Sequence, residues 1–384
     1  MPSPSSVRSA RLPLASLVFA CAPLFAQNPI TWAVADISSA ATDVSTRGEL
    51  CIAVNMGPEV CEAVVNGVHF QADRSHWTRK LLTRGATSTS SIMYFPAWTN
   101  GGFVLTTPYN RTAGGIGARH ATESDYDAIL RDGRHSSPGT TTVNCSIAGL
   151  TPGHTYEIQL FYGAASRPTR ITEWDDGVGN GPGSGGIYLA ASGPHSGQVA
   201  TGTFVAAASG IQTFGNSQHP ASGSIPETNN ACSAMQIRDL TPTGSDPLVH
   251  YFGEGTPGTD TQPNLGGTRC SPGIGMIGAP RVGASVLLTV ENSQDVPSPA
   301  ILVVGPQSLS LPVLGGTLLV SPQFTAGILI QPPVSPYVHD HELQLPLTIP
   351  GGVGASVYFQ VVQLDPGAAG GYSMTAALRV RIGV

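Results

Sequence analysis

The sequence predicts an all-β protein built as two antiparallel β-sandwich domains, and three observations carry that expectation. The chain of 384 residues holds 47 glycines and 32 prolines, yet 41% of it is apolar. That pairing describes many short strands joined by turns rather than disorder, which combines low hydrophobicity with high charge. Charged residues make up only 11%, under half the ~25% usual in globular proteins. The clearest single element is the stretch from Gly149 to Arg170. Leu150-Thr151-Pro152-Gly153 is a turn, with proline pre-setting φ and glycine tolerating the left-handed residue behind it. Tyr156, Ile158, Leu160 and Tyr162 then alternate with Glu157, Gln159 and Phe161. This is strand periodicity with one apolar face, and Phe161 implies that the second face is partly covered as well.

Arg8 and Arg11 precede an apolar run from Leu12 to Phe25, and Ala26-Gln27 supplies a small residue at a cleavage point. Residues 1–26 are therefore expected to be a secretory signal peptide. A lipidated Cys21 is the alternative, although Phe19 fits a lipobox poorly and the apolar run continues past the cysteine. No later apolar run reaches spanning length, so the mature chain is expected to be secreted or held at the cell surface without a transmembrane segment. A formal charge of −6 with no basic stripe argues against nucleic acid as a partner.

The first domain is expected over residues 27–242. Ile30 to Ile37 and Glu49 to Asn55 read as its first strands, and Asn66-Gly67 between Val64-Val65 and Val68-His69-Phe70 as a hairpin turn. Residues from Asp73 to Thr122 lose this pattern and carry Trp77 and Trp98, as a decorated loop or part of a binding face would. Asp125 to Leu130 is a short helix or strand, and Thr141 to Ile147 a strand. Gly202 to Ala206 and Gly210 to Phe214 alternate again, and Ala234 to Leu240 closes the domain. Thr241 to Pro247 has linker composition. Over 243–384, seven apolar runs between Val286 and Ile382, separated by turns, indicate the second sandwich.

An oxidising destination makes disulfides the expected use of the cysteines. Cys51 and Cys61 flank a short loop, Cys145 and Cys232 sit on later strands, and Cys270 is left over. Zinc is disfavoured because no tightly spaced Cys/His set exists. His339 and His341 share a strand face at i, i+2, but the prolines around them mark an exposed turn. Arg131 and Arg134 likewise read as a charged turn.

The strand and turn segments Val64 to Phe70, Tyr126 to Leu130, Gly149 to Leu160 and Gly202 to Ala206 together resemble a module in secreted proteins of planctomycete-type bacteria. That module looks like the galactose-binding-like jelly roll that includes malectin-like carbohydrate binders, and the resemblance covers about residues 30–240. It implies a jelly-roll-like first domain and, by analogy alone, glycan binding. The segments Gly253 to Gly258 and Ala376 to Gly383 look like a C-terminal accessory module of such proteins. These are motifs of strand and turn, which specify fold better than activity.

The candidate ligand site is Arg170 with Trp174, Asp175 and Asp176, beside the glycine-rich loop Gly177 to Gly186. A sugar stacks on an exposed aromatic while charged groups bond its hydroxyls. Asp175, Asp176 and Asn180 could alternatively hold Ca²⁺, and no other cofactor is expected. An exposed Trp174 would favour binding; a buried one would favour a scaffold. No G-x-S-x-G, H-E-x-x-H or Walker sequence is present, and Glu173, Asp175 and Asp176 are the only nearby acids for hydrolytic chemistry. The expected function is that of a secreted, non-catalytic protein binding extracellular carbohydrate through loops of the first domain. The alternatives are a structural or adhesive envelope protein and a polysaccharide hydrolase.

Overall fold

A computed structural model of the chain describes residues 27–38, 41–56, 63–72, 97–106, 111–113, 126, 129–130, 133–135, 142–163, 171–190, 197–218, 231–259, 271–294, 296–332 and 343–384. Residues 1–26, the stretch expected to be a signal peptide, lie outside them with Cys21, as do Cys61, Trp77, Arg131, Arg170, Cys270, His339 and His341. The fold is all-β, and among the described residues its strands pair antiparallel apart from the short parallel pairing of Val54 and Asn55 with Gln71 and Ala72.

The first group of strands begins with β1 (Thr31–Asp36), β2 (Glu49–Asn55), β3 (Ala63–Val65), β4 (Val68–Ala72), β5 (Ala97–Asn100) and β6 (Phe103–Thr106). It continues with β7 (Arg111–Ala113), β8 (Gly133–His135), β9 (Thr142–Ala148), β10 (Thr155–Gly163), β11 (Ile171–Trp174) and β12 (Ile187–Ala190). It closes with β13 (Gly197–Val205), β14 (Ile211–Gln218), β15 (Ala231–Cys232) and β16 (Ala234–Asp239). One sheet runs β1-β13-β10-β16-β2-β4-β3, and the sheet facing it runs β12-β11-β14-β9-β6-β5. From β9 to β11, and again from β13 through β14 to β16, the chain crosses between these two sheets, which is the jelly-roll habit.

Strand β10 shows why the sheets stack. Its inward residues Tyr156, Ile158, Leu160 and Tyr162 are buried with Ile52, Val54, Met235 and Ile237 of their own sheet. Leu105, Ile147, Trp174 and Phe214 of the opposite sheet belong to the same core. Each large apolar side chain so buried stabilises the fold by about 1.5–3 kcal/mol relative to exposure. Phe161, on the other face, belongs to a second core with Phe70, Tyr126, Ile129, Leu130 and Val199. The outer face of this sheet is thus covered as well, by the β3–β4 hairpin and the helical residues at 126 and 129–130.

The second group comprises β17 (Leu248–Phe252), β18 (Ile274–Ile277), β19 (Ser285–Val290), β20 (Ser298–Gly305), β21 (Ser308–Val313) and β22 (Gly316–Val320). After these come β23 (Phe324–Ile330), β24 (Leu343–Thr348), β25 (Ser356–Leu364), β26 (Tyr372–Met374) and β27 (Ala377–Arg381). Strands β17-β27-β25-β20-β23 form one sheet, with β26 on β25, and β18-β19-β24 form the facing one. Between them lie Val249, Met276, Leu288, Leu302, Val361 and Val380. The β21–β22 hairpin covers part of the far face through Leu319 and Val320.

No sheet among the described residues mixes strands from before Asp239 with strands after Leu248, yet the two groups are held by specific contacts. Asn100 donates through Nδ2 to the carbonyls of Cys51 (2.6 Å) and Val249 (2.8 Å). Gly101 N–H donates to Met276 O at 3.1 Å. A Cβ on Gly101 would stand 2.7 Å from Val249 Cγ2 at φ +61, so both backbone shape and close approach require glycine there. His69 stacks on Tyr251 with ring centroids 5.4 Å apart. Arg381 grips Glu49 with both terminal nitrogens, at 2.5 and 2.7 Å, and donates through Nε to Asp246 O at 2.9 Å. Burial, aided by Arg238 and Arg379, pushes the His250 imidazole down to about 4, so it is neutral at physiological pH.

Candidate functional site

The residues nominated from sequence are distributed differently from expectation. Strand β11 buries Thr172 and Trp174 and turns Ile171 outward. Trp174 is fully buried and packs on Phe214 at a centroid distance of 5.7 Å. Its ring has no open face on which a sugar could stack, so the expected platform at Trp174 is corrected to a core position. The reason is register: Trp174 shares a face with Thr172, and that face looks at the opposite sheet.

Asp175 and Asp176 bind their own loop. Asp175 Oδ1 accepts from the N–H groups of Gly177 and Gly215, both at 2.8 Å. Asp176 Oδ1 accepts from Val178 N (3.1 Å) and Asn180 N (2.9 Å), while Oδ2 accepts from Asn180 Nδ2 at 2.8 Å. Burial pushes the Asp175 carboxyl above its ordinary range despite its two backbone donors, and Asp176 adds to the rise. At Asp176 burial acts in the same upward sense, but the Asn180 side chain and the N–H groups of Asn180 and Val178 hold the carboxyl below that range. Both oxygens of Asp176 face N–H donors, and the Asn180 carbonyl is taken up by the Asp176 N–H at 3.1 Å. The arrangement is a pair of side-chain-capped turns, and it fits a cation poorly.

The two carboxylates should respond differently to neutralisation. Asp176→Asn loses an acceptor facing the Asn180 amide and is expected to cost about 1.5 kcal/mol. Asp175→Asn keeps its Oδ1 acceptor and sheds a desolvated charge, so stability at pH 7 should stay within about 0.5 kcal/mol of the parent or rise. The pH signs follow from linkage. The contribution of Asp176 is present above the unfolded carboxyl value of ~3.9 and is lost as pH falls through its lower folded value. The desolvation cost at Asp175 is present above its raised folded value and is relieved by acid. Urea unfolding of both variants across pH 3–7 measures this, and equal losses at the two positions would reject the assignment.

The cysteines also differ from expectation. Cys51, Cys145 and Cys232 are buried free thiols. The expected Cys145–Cys232 bridge is not formed: Cys232 Sγ is turned onto the carbonyls of Ala234 (3.3 Å) and Phe161 (3.8 Å). Burial pushes the Cys232 thiol up to about 12, and burial followed by the charge of Asp239 raises Cys51 strongly. Protonated thiols of this kind are inert.

A different set of side chains converges where the two groups of strands meet. His154 stands in the turn before β10, Asp239 ends β16, and Asp246 lies in the linker that follows. His154 Nδ1 is 2.8 Å from Asp239 Oδ2 and 4.0 Å from Asp246 Oδ2. Asp239 Oδ1 accepts from Thr241 N at 2.9 Å, and Asp246 Oδ2 accepts from the Thr243 N–H and hydroxyl at 2.6 and 2.9 Å. Asp239 and Asp246 line a small cleft of about 90 Å³ with Glu49, Cys51, Thr151 and Arg281. That is room for waters or an ion, well below the ~300 Å³ at which organic-ligand pockets begin. Among the described residues the only thiol on the cleft is the inert Cys51. What the three donors can do is hold a cation. Sequence reading missed them because they come from three separated positions with no motif spacing.

No family model matches the chain, and no curated protein matches it. Among solved structures, the ANXUR2 extracellular domain from Arabidopsis thaliana overlaps 87% of this chain and 98% of its own, at 7% identity and a TM-score of 0.28. The adhesin domain of Epf from Streptococcus pyogenes overlaps 74% and 83%, at 10% identity and 0.19. Allantoicase overlaps 74% and 91%, at 9% identity and 0.21. At such scores these overlaps fix neither function nor ligand.

Proposed function

We propose that this chain is an extracellular, non-catalytic β-sandwich protein that serves as a structural or adhesive element of the cell envelope. Export rests on the signal-peptide pattern of residues 1–26. The observation that carries the reading is the buried position of Trp174, the aromatic on which a loop-borne sugar site depended. The contacts between the two groups of strands support it, because a clamped pair of sandwiches makes a stiff spacer that presents loops at fixed separation.

A second reading keeps carbohydrate as the partner and moves the site. Tyr188 on β12 is 44% exposed and stands opposite Glu173 across the β11–β12 pair. An exposed aromatic beside a carboxylate is the chemistry a sugar face and hydroxyl need. A glycan array on the mature protein separates the readings. The structural reading expects no glycan retained above background, whereas retention that disappears in Tyr188→Ala transfers the function to that edge. Release of reducing ends from a polysaccharide panel would overturn both.

A further inference from the structure

We propose that His154, Asp239 and Asp246 form a site for a divalent transition-metal ion that ties the linker to the first sandwich, beyond the structural reading above. Their three ligand atoms all lie within 4.8 Å of one another. Atoms bound about 2.1 Å from a tetrahedral ion stand about 3.4 Å apart. The separations of 2.8 and 4.0 Å from Nδ1 to the two carboxylates bracket that value, and the two carboxylates lie within 4.8 Å of each other, so small side-chain shifts admit an ion.

Charge points the same way. Among the described residues, the ion pairs of Asp239 and Asp246 run to His154 alone. The nearby guanidinium of Arg381 is committed to Glu49, and that of Arg281 donates to the Val384 carbonyl. Two carboxylates therefore share one imidazole. All three side chains are largely shielded, with relative exposures of 16% for His154, 7% for Asp239 and 19% for Asp246. The cleft reaches both carboxylates, leaving access for the ion and for water to complete its coordination.

The donor set selects the metal. One imidazole nitrogen with two carboxylate oxygens suits Zn²⁺ and similar first-row ions, whereas Ca²⁺ prefers oxygen alone. His154 binds as the Nε2–H tautomer with its Nδ1 lone pair on the ion, exchanging its hydrogen bond to Asp239 for a shared ligand. Asp239 is fixed by Thr241 and Asp246 by Thr243, which are the outer partners that orient metal-binding carboxylates.

The test uses the full mature chain, stripped with EDTA, and Zn²⁺ alone. A Zn²⁺ excess of roughly a hundredfold over Kd should raise the thermal midpoint by about 5 °C or more, reversibly with EDTA. Co²⁺ in its place should give visible d–d absorption at one ion per chain. Asp246→Asn, at the most exposed of the three positions, should weaken Zn²⁺ binding by at least about 10-fold, since even outer partners of metal ligands are worth that much. The double variant His339→Ala/His341→Ala should bind as the parent does. No Zn²⁺ shift and no Co²⁺ spectrum in the parent would overturn the proposal. So would a shift that survives Asp246→Asn but vanishes in the double histidine variant. Ca²⁺ producing the same shift as Zn²⁺ would overturn the assignment of metal class.

Discussion

Trp174→Ala is expected to cost about 3–5 kcal/mol, a fall of about 6–20 °C in the thermal midpoint of a domain of this size. The side chain has no solvent exposure, lies in the core between the two large sheets, and packs on Phe214. Truncation leaves a cavity that strands on both sides are too constrained to close. The indole Nε1 is buried without a hydrogen-bond partner among the described residues, and this makes a second, sharper expectation. Trp174→Phe removes an unsatisfied donor while retaining most of the ring volume. The desolvation cost recovered, about 1–3 kcal/mol, should offset much of the lost packing. Calorimetry of the two variants against the parent decides the matter. A surface platform for sugar would give the reverse pattern, with binding lost and stability unchanged, and an unshifted midpoint in Trp174→Ala would remove the residue from the core.

The contrast shows what the sequence made legible. Where an apolar run or an alternation was clear, strand positions could be read closely: Glu49 to Asn55 is β2 as expected, and the run from Tyr156 to Tyr162 lies within β10. Phe161 indicated a covered second face and lies in its own core. In β11 the first two residues are inverted relative to their faces, with Ile171 outward and Thr172 inward, while Glu173 and Trp174 keep the ordinary sense. A mixed pattern of only four residues before a glycine-rich loop cannot reveal which way Trp174 points. Strands β17 and β18 were obscured for another reason: turn formers dominate Tyr251 to Pro272, so the β-forming residues around them read as loop. The metal cluster was invisible because long-range pairing, not spacing, brings Asp239 and Asp246 to His154. Resemblance could not supply it, since of the three only His154 falls in a segment that carries the likeness, and strand and turn motifs specify fold rather than ligands.

Arg381→Ala should cost about 3 kcal/mol and split unfolding into two transitions. Arg381 is 8% exposed at its side chain and Glu49 is 29% exposed, which places the pair at the low end of the ~3–5 kcal/mol seen when one partner of a buried ion pair is removed. The guanidinium spans both Glu49 oxygens and the Asp246 carbonyl, so one side chain joins β27 to β2 and to the linker between them. Arg381→Lys should rescue little, because a single ammonium cannot reproduce a planar fork across three acceptors. Glu49→Ala and the double variant complete a cycle in which the coupling energy should exceed about 1 kcal/mol. Protease cleavage within residues 240–247 should become faster in every variant that opens the clamp. A coupling near zero with one unchanged transition would mean that the flanking contacts of Asn100 and His69 hold the two sandwiches by themselves. If the clamp holds as expected, the stiffness required of a spacer resides in a few buried polar contacts, and the linker needs no rigidity of its own.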